Sequence, residues 1–522
     1  MQIDRRTLIK SAGTLAVFSG LSSRAVFARP LGAYPFTLGV ASGDPHPDGF
    51  VLWTRLAPKP LEPGSGMPMA AVPVQWQVAE DELFERIVRS GEEMARPELG
   101  HSVHTEVEGL APGRRYWYRF LVGGEASPVG TVRSAPAAGA AVDRLRIGVA
   151  GCQHYEAGYF TAYRYLSEEP DLDAIFHYGD YIYEGRAGRS CPKDGDGDRS
   201  CFRTHVGDEI YSIDDYRRRY AQYKMDGDLQ AAHAAAAFLS TWDDHEIDNN
   251  WAAEFDQDGT SPEIFALRRF AAMQAWYENM PVRRAQFPTL SGLRMHRRLD
   301  FGGLLRVHLL DTRQYRTDQR CDDDEAVHCR PAGERGSSQM LGGQQEAWLG
   351  KGLTNAAGWN LLAQQVMMMP FIYPESRAQG QTNLDSWSGY PDARARLVDM
   401  IAERKLSNVI IATGDVHKHH AGVVPIREGE LDGPAAATEY VTTSISSGGD
   451  GSDIPAGWEK VPADNPHTKL LNDRRGYQLF TIGKDMWQTD VVGVTKVSDR
   501  SGTKRKISRL VTLPHEPGIQ SA

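Results

Sequence analysis

The alternation of apolar and polar positions changes character near residue 140. Ahead of that point, Val-Pro-Val-Gln-Trp-Gln-Val at 72–78 alternates strictly, and residues 36–43, 49–55, 101–108 and 110–120 form further short strand-like runs between Gly and Pro turns. This spacing predicts a β-sandwich. Beyond it, apolar runs at 145–151, 174–178, 238–242, 304–310, 359–363 and 408–413 are short and continuous, as expected of strands buried on both faces. Helical patterns fall between or beside them at 159–166, 262–279, 343–353 and 391–404; Ser261 is the expected cap of the second and Pro262 occupies its first turn. Strand, helix and strand within 145–184 read as a βαβ unit with parallel strands.

The pattern predicts an α/β core preceded by a β-sandwich. The small-residue stretch 133–141 divides a sandwich at 33–135 from a catalytic domain at 143–515. Leu-x-Pro-Gly-x-x-Tyr-x-Tyr at 110–118 resembles the tyrosine-corner strand of fibronectin type III domains. Packing against the catalytic domain is the expected role of the sandwich, with glycan or protein binding as the alternative. No internal repeat is evident.

The polar residues that end the buried runs carry the candidate chemistry. Side chains at the carboxyl ends of parallel strands line the crevice where ligands bind in open α/β sheets. Here those ends read Cys152-Gln-His, Gly179-Asp180-Tyr-Ile-Tyr183, Asp243-Asp244-His245-Glu, Asp311-Thr-Arg313, Gln364-Gln365 and Gly414-Asp415-Val-His417. Asp180, Asp244 and Asp415 offer hard oxygen ligands suited to calcium, magnesium or manganese. Cys152 and Tyr183 offer a thiolate and a phenolate, charged donors that suit a ferric-type ion. Asp180 has two oxygens with which to bridge ions, and paired metals about 3.5–4 Å apart serve phosphoryl transfer. His245 is read as a catalytic group that protonates the leaving oxygen or hydrogen-bonds the phosphate; Asp180 and Arg313 join it in the catalytic set.

A net charge of −10 argues against a nucleic-acid reader or a basic lipid-binding surface, but not against a phosphate substrate. The N-terminus pairs Arg5-Arg6 with a short, mildly apolar stretch and a small residue at 28, the pattern of a twin-arginine export signal over 1–28. That stretch is too short to span a membrane. The partners expected are thus the twin-arginine machinery and a small or polymeric phosphoester, in a periplasmic or secreted setting. Of five cysteines, Cys191 and Cys201 flank one acidic loop and Cys321 and Cys329 another, each pair able to close a disulfide after export, which leaves Cys152 for the site. Asp194, Asp196 and Asp198 mimic a calcium loop, but His205 stands where an EF-hand has Glu, so 191–201 is read as a surface loop.

Gly-Asp-x-x-Tyr at 179–183, Asp-Asp-His-Glu at 243–246 and Gly-x-x-His at 414–417 are similar to the metallophosphoesterase blocks of purple acid phosphatases. With the twin-arginine signal, Gly-Val-Ala-Ser-Gly-Asp-Pro at 39–45, Leu-Trp-Thr-Arg at 52–55, Asp-Thr-Arg-Gln-Tyr-Arg at 311–316 and Gln-Val-Met-Met at 365–368, the chain more closely resembles the PhoD-like alkaline phosphatases. This resemblance implies an Fe(III) ion held by Cys152, Asp180, Tyr183 and His417, with calcium at Asp180, Asp244 and Asp415, in a site of two or three ions. It further implies two packed mixed sheets flanked by helices in the α/β core, and hydrolysis of phosphomonoesters and phosphodiesters at alkaline pH. Purple acid phosphatases carry Asp at the position of Cys152 and an extra His near 364–365, so an iron–zinc site is not expected. A phospholipase D-like or nucleotide phosphodiesterase activity on the same scaffold is the alternative within enzymes. A phosphate-binding surface protein is the alternative outside them, and turnover by purified protein separates the two.

Overall fold

The computed structural model describes residues 33–189, 191, 201–289, 291–319, 338–374, 383–427 and 429–521. The export signal, the acidic stretch 192–200 and the Cys321–Cys329 pair lie outside them; Cys191 and Cys201 are disulfide-bonded.

The N-terminal strands are β1 (Val40–His46), β2 (Gly49–Arg55), β3 (Val72–Ala79), β4 (Ile87–Ala95), β5 (Ser102–Val107), β6 (Arg115–Val122), β7 (Glu125–Ala126) and β8 (Gly130–Arg133). Then come β9 (Arg144–Ala150), α1 (Thr161–Ser167), β10 (Ala174–His177), α2 (Ile213–Lys224), α3 (Gly227–Ala235), β11 (Ala237–Ser240) and α4 (Pro262–Asn279). The second sheet begins with β12 (Arg297–Phe301) and β13 (Leu305–Leu309), followed by α5 (Gly342–Gly352), β14 (Trp359–Ala363), α6 (Pro391–Glu403), β15 (Val409–Thr413), β16 (His419–Pro425), β17 (Ala435–Val441) and β18 (Thr468–Asn472). A C-terminal meander of β19 (Gly476–Gly483), β20 (Trp487–Val494), β21 (Lys504–Leu513) and β22 (Glu516–Ser521) returns to the first sheet.

Two large mixed sheets pack face to face between helices. The first runs β22-β21-β20-β19-β9-β10-β11-β1-β2-β5 and the second β12-β13-β14-β15-β17-β16-β18. The expected βαβ unit is present: β9 and β10 are parallel, with Ala174 opposite Ile147. Alternation assigns the faces. Ile147, Val149 and Phe176 point between the sheets at Val307, Leu361 and Ile410, whereas Ile175 and Phe238 turn outward onto a helical layer with Leu166, Tyr216 and Trp276. Leu362 and Ile411 do the same on the far side, against Leu349, Leu397 and Ile401. Each such side chain contributes about 1.5–3 kcal/mol on burial.

The β-sandwich is present, and one of its layers is shared. β4-β3-β6-β7, with β8 on β6, forms one layer, and β1-β2-β5 forms the other. Parallel pairing of β1 with β11 then continues that second layer into the ten-stranded sheet, so hydrogen bonding crosses the small-residue stretch expected to part the domains. The tyrosine corner forms: Tyr116 Oη donates to the carbonyl of Ala111 at 3.3 Å and accepts from its amide at 3.0 Å. Ser261 stands at the start of α4 without a side-chain cap, and Pro262 with Glu263 in the first turn provides the local start signal. Helices α2 and α3 were not anticipated; Ser212 and Asp215 close a capping box that begins α2. No helix among the described residues is long and apolar enough to cross a membrane.

Candidate active site and metal centre

The loops after β9, β10, β11, β13, β15 and β17 meet at one edge of the two packed core sheets. Backbone geometry there is unusual: Cys152, Asp180, Asp415 and His417 all have left-handed φ, at 49°, 56°, 68° and 55°. For non-glycine residues this costs on the order of 1–3 kcal/mol each, and such strain clusters at functional sites. Gly179 permits the turn into Asp180, because a Cβ there would lie 2.3 Å from the amide nitrogen of Asp243. One buried carboxylate ties two of the loops together. Glu246 accepts from the amides of Asp180 at 3.1 Å, Tyr181 at 2.7 Å and Asp243 at 2.8 Å.

Ligand atoms converge in three overlapping groups, each with all its atoms within 4.8 Å of one another: Cys152, Asp180 and His417; Asp180, Asp244 and His245; Asp243, Asp244 and Asp415. Tyr183 joins the first group. Its Oη donates to Asp180 Oδ2 at 2.7 Å and lies 2.7 Å from Ser447 Oγ and 3.3 Å from His417 Nε2. The structure thus brings together every residue expected at the site.

Electrostatically this cluster is short of positive charge. Burial, then neighbouring carboxylates, pushes Asp180 and Asp415 well above the usual carboxylate range, although His245 and Arg313 respectively pull them down. Burial, Asp180 and Asp415 likewise raise the Cys152 thiol well above its ordinary value. For Asp244 burial is outweighed by Arg313 and His245, and its pKa falls. Among the described residues, buried Asp243 Oδ2 and Asp244 Oδ1 have no hydrogen-bond partner. A bound cation compensates the crowded Asp180 and Asp415, gives the unpaired oxygens a partner and ionises a coordinating thiol, so the residues present fit a metal centre.

Arg313 is wholly buried. Its Nε donates to Asp243 Oδ1 at 2.5 Å and its Nη1 to Asp385 Oδ1 at 2.6 Å, while Nη2 lies 3.6 Å from Asp244 and 3.7 Å from Asp415. Asp385 also takes Arg316 Nη2 at 2.9 Å and Gln319 Nε2 at 2.6 Å. Gln365 accepts from Thr312 N at 3.0 Å and Oγ1 at 2.6 Å and donates to the carbonyl of Leu310 at 2.8 Å, and Gln364 accepts from Trp387 Nε1 at 3.0 Å. These glutamines join the ends of β13 and β14 to their surroundings.

Sequence reasoning missed several partners. Glu184, next to the metallophosphoesterase block, receives His245 Nδ1 at 2.7 Å. Ser447 donates to the Cys152 carbonyl at 2.7 Å, and Arg475 Nη1 donates to Ser444 Oγ in the same loop at 2.8 Å. Asp385 lies in a loop whose pattern carries no signal. The other motifs serve as anchors: Arg297 pairs with buried Asp44 at 2.8 Å and joins the two sheets, and Arg55 reaches Ser65 Oγ at 3.1 Å and Asn279 Oδ1 at 3.3 Å.

Comparison with known proteins agrees with this geometry. The family model for the PhoD-like phosphatase matches residues 147–491, and that for the PhoD-like phosphatase N-terminal domain matches 21–136. Alkaline phosphatase D of Bacillus subtilis (strain 168) is 44% identical over 501 residues, covering 93% of this chain and 84% of the relative. A solved structure titled "Structure of PhoD" superposes with a TM-score of 0.89 at 42% identity, covering 95% of this chain and 93% of the other. With the family models, the relative and the superposed fold in agreement over nearly its whole length, the chain belongs to the PhoD-like phosphatase family and is a phosphoesterase of that type.

Proposed function

We propose that this protein is an exported, metal-dependent phosphoesterase acting on phosphomonoesters and phosphodiesters, with Fe(III) and calcium as its ions. The observation that carries the reading is the convergence of buried thiol, phenol, imidazole and carboxylate ligand atoms on Asp180. Cys152, Tyr183 and His417 would hold iron with Asp180, and Asp244 and Asp415 would hold calcium with it. When bound, such ions supply charge neutralisation at the phosphate and an activated water. Asp180 stands between the two donor sets, with one oxygen toward Tyr183 and the other 3.4 Å from the His245 amide. His245 keeps a fifth of its side chain exposed, enough to meet a substrate, and gives a proton to the leaving oxygen. Arg313 touches no substrate in this reading. It holds Asp243 and Asp385 and lends its charge to Asp244 and Asp415, which makes it a positioning residue. Export rests on Arg5-Arg6 and is in keeping with the Cys191–Cys201 disulfide.

Metal analysis of the purified protein tests the assignment, with EGTA expected to abolish turnover and added calcium to restore it. Stoichiometric zinc without iron, and indifference to EGTA, would sink it. A second readout needs no turnover: Cys152 should resist alkylation in the holoenzyme and react after metal removal. Rates on a monoester, a bis-aryl diester and phosphatidylcholine set side by side identify the substrate class.

A further inference from the structure

The ring of His245 is held by one short segment of chain. Its amide faces Asp180 Oδ1 at 3.4 Å, its ring packs on that of Tyr183 with centroids 4.1 Å apart, and its Nδ1 lies 2.7 Å from Glu184 Oε2. Glu184 is itself held. It is buried, its second oxygen accepts from the amide of Asn249 at 3.2 Å, and Arg219 donates to the carbonyls of Tyr183 and Gly185 on either side of it. With both oxygens engaged, the carboxylate presents one fixed acceptor to the imidazole. Among the described residues Nε2 has no hydrogen-bond partner.

We infer that Glu184 is a positioning residue for the hydrolysis: it locks the His245 ring through Nδ1, so that Nε2 is the nitrogen that serves the leaving oxygen. This rests on the phosphoesterase reading above and adds to it a residue and an atom. A carboxylate accepts only, so Nδ1 carries a hydrogen throughout, and the proton lost in the reaction comes from Nε2. In the balanced step the oxygen of a water bonds to phosphorus and the bond from phosphorus to the leaving oxygen breaks. The leaving oxygen takes the Nε2 proton, and a proton shed by the water replaces it. Packing on Tyr183 restrains the plane of the ring but permits a half-turn about the Cβ–Cγ bond, which exchanges the places of Nδ1 and Cδ2. The hydrogen bond to Glu184 removes that freedom.

The test compares Glu184→Ala, Glu184→Gln, His245→Ala and the Glu184→Ala/His245→Ala double variant, with metal content measured for each. Gln offers a carbonyl oxygen to Nδ1–H, so Glu184→Gln should stay within a few-fold of the parent. Glu184→Ala should lower kcat/KM on an alkyl phosphate about 10–100-fold, by analogy with the loss of the group that orients a metal-binding histidine. The loss should be smaller on nitrophenyl phosphate, whose leaving group needs little protonation, and the double variant should be no slower than His245→Ala. Additive losses, or a Glu184→Ala protein that retains parental rates on alkyl phosphates, overturn the inference. Crystal structures supply a readout independent of turnover: the ring should keep its orientation with Gln and turn with Ala, and an unmoved ring with Ala also overturns it. Absence of phosphoesterase turnover in the parent counts against the proposed function alone, and the ring orientation still decides the role of Glu184. Should Glu184→Ala not fold, Glu184→Asp, which keeps the charge and shortens the reach, takes its place with the same expectations as Ala.

Discussion

The two sheets bring matching sets of parallel strands to the same edge and equip them differently. From β9, β10 and β11 come Cys152, Asp180, Tyr183, Asp244 and His245, the candidate ligand atoms and the proposed proton donor in succession. From β13 and β14 come a buried cation, Arg313, and a glutamine tie, Gln365; only β15 adds ligand atoms, in Asp415 and His417. Equivalent places in the architecture therefore do different work. The first sheet concentrates negative charge that burial makes costly, and the second supplies the guanidinium and hydrogen bonds that allow the charge to stay in place.

Substitutions on each side sharpen or break that contrast. His245→Ala, on the first side, should lower turnover of an alkyl phosphate about 10²–10⁴-fold with metals retained, and much less for nitrophenyl phosphate. Equal losses on both substrates would reassign the ring to phosphate binding, and metal loss would reassign it to supporting Asp244. Arg313→Ala, on the second side, should destabilise the fold by about 3–5 kcal/mol, because Asp243 and Asp385 are left as buried charges with reduced compensation. Chemical denaturation measures this, and an unchanged midpoint with lost turnover would make Arg313 a chemical group after all. Gln365→Ala should cost about 1–3 kcal/mol, the penalty for stranding Thr312 and the Leu310 carbonyl, with metal content unaltered. Loss of metal in that variant would erase the distinction between scaffold and site on β14.

Much of this was legible in the chain. Buried strands are short apolar runs, and β14 was bounded to the residue because Gly358 and Gln364 break the run on either side. The candidate ligand residues were legible because each lies within five residues of the end of such a run. The C-terminal meander β19–β22 was not read, since its strands end on no chemistry and β19 joins the first sheet through β9, far away in sequence. Glu184 was adjacent to a recognised block and still missed, because a carboxylate that meets a histidine from another loop has no spacing of its own.

Period and punctuation are local properties of a chain, and they were enough to place the parallel strands that carry the site, four of the helices and the set of groups at the strand ends. Only the tertiary structure decided that the sandwich shares its β1-β2-β5 layer with the catalytic sheet. It alone decided that Asp44 and Arg55 are anchors, and that Arg313 is spent on carboxylates rather than left open to substrate. Such outcomes depend on which distant charges come within a few ångströms once water is excluded, and there a single partner changes what a buried guanidinium or carboxylate can do.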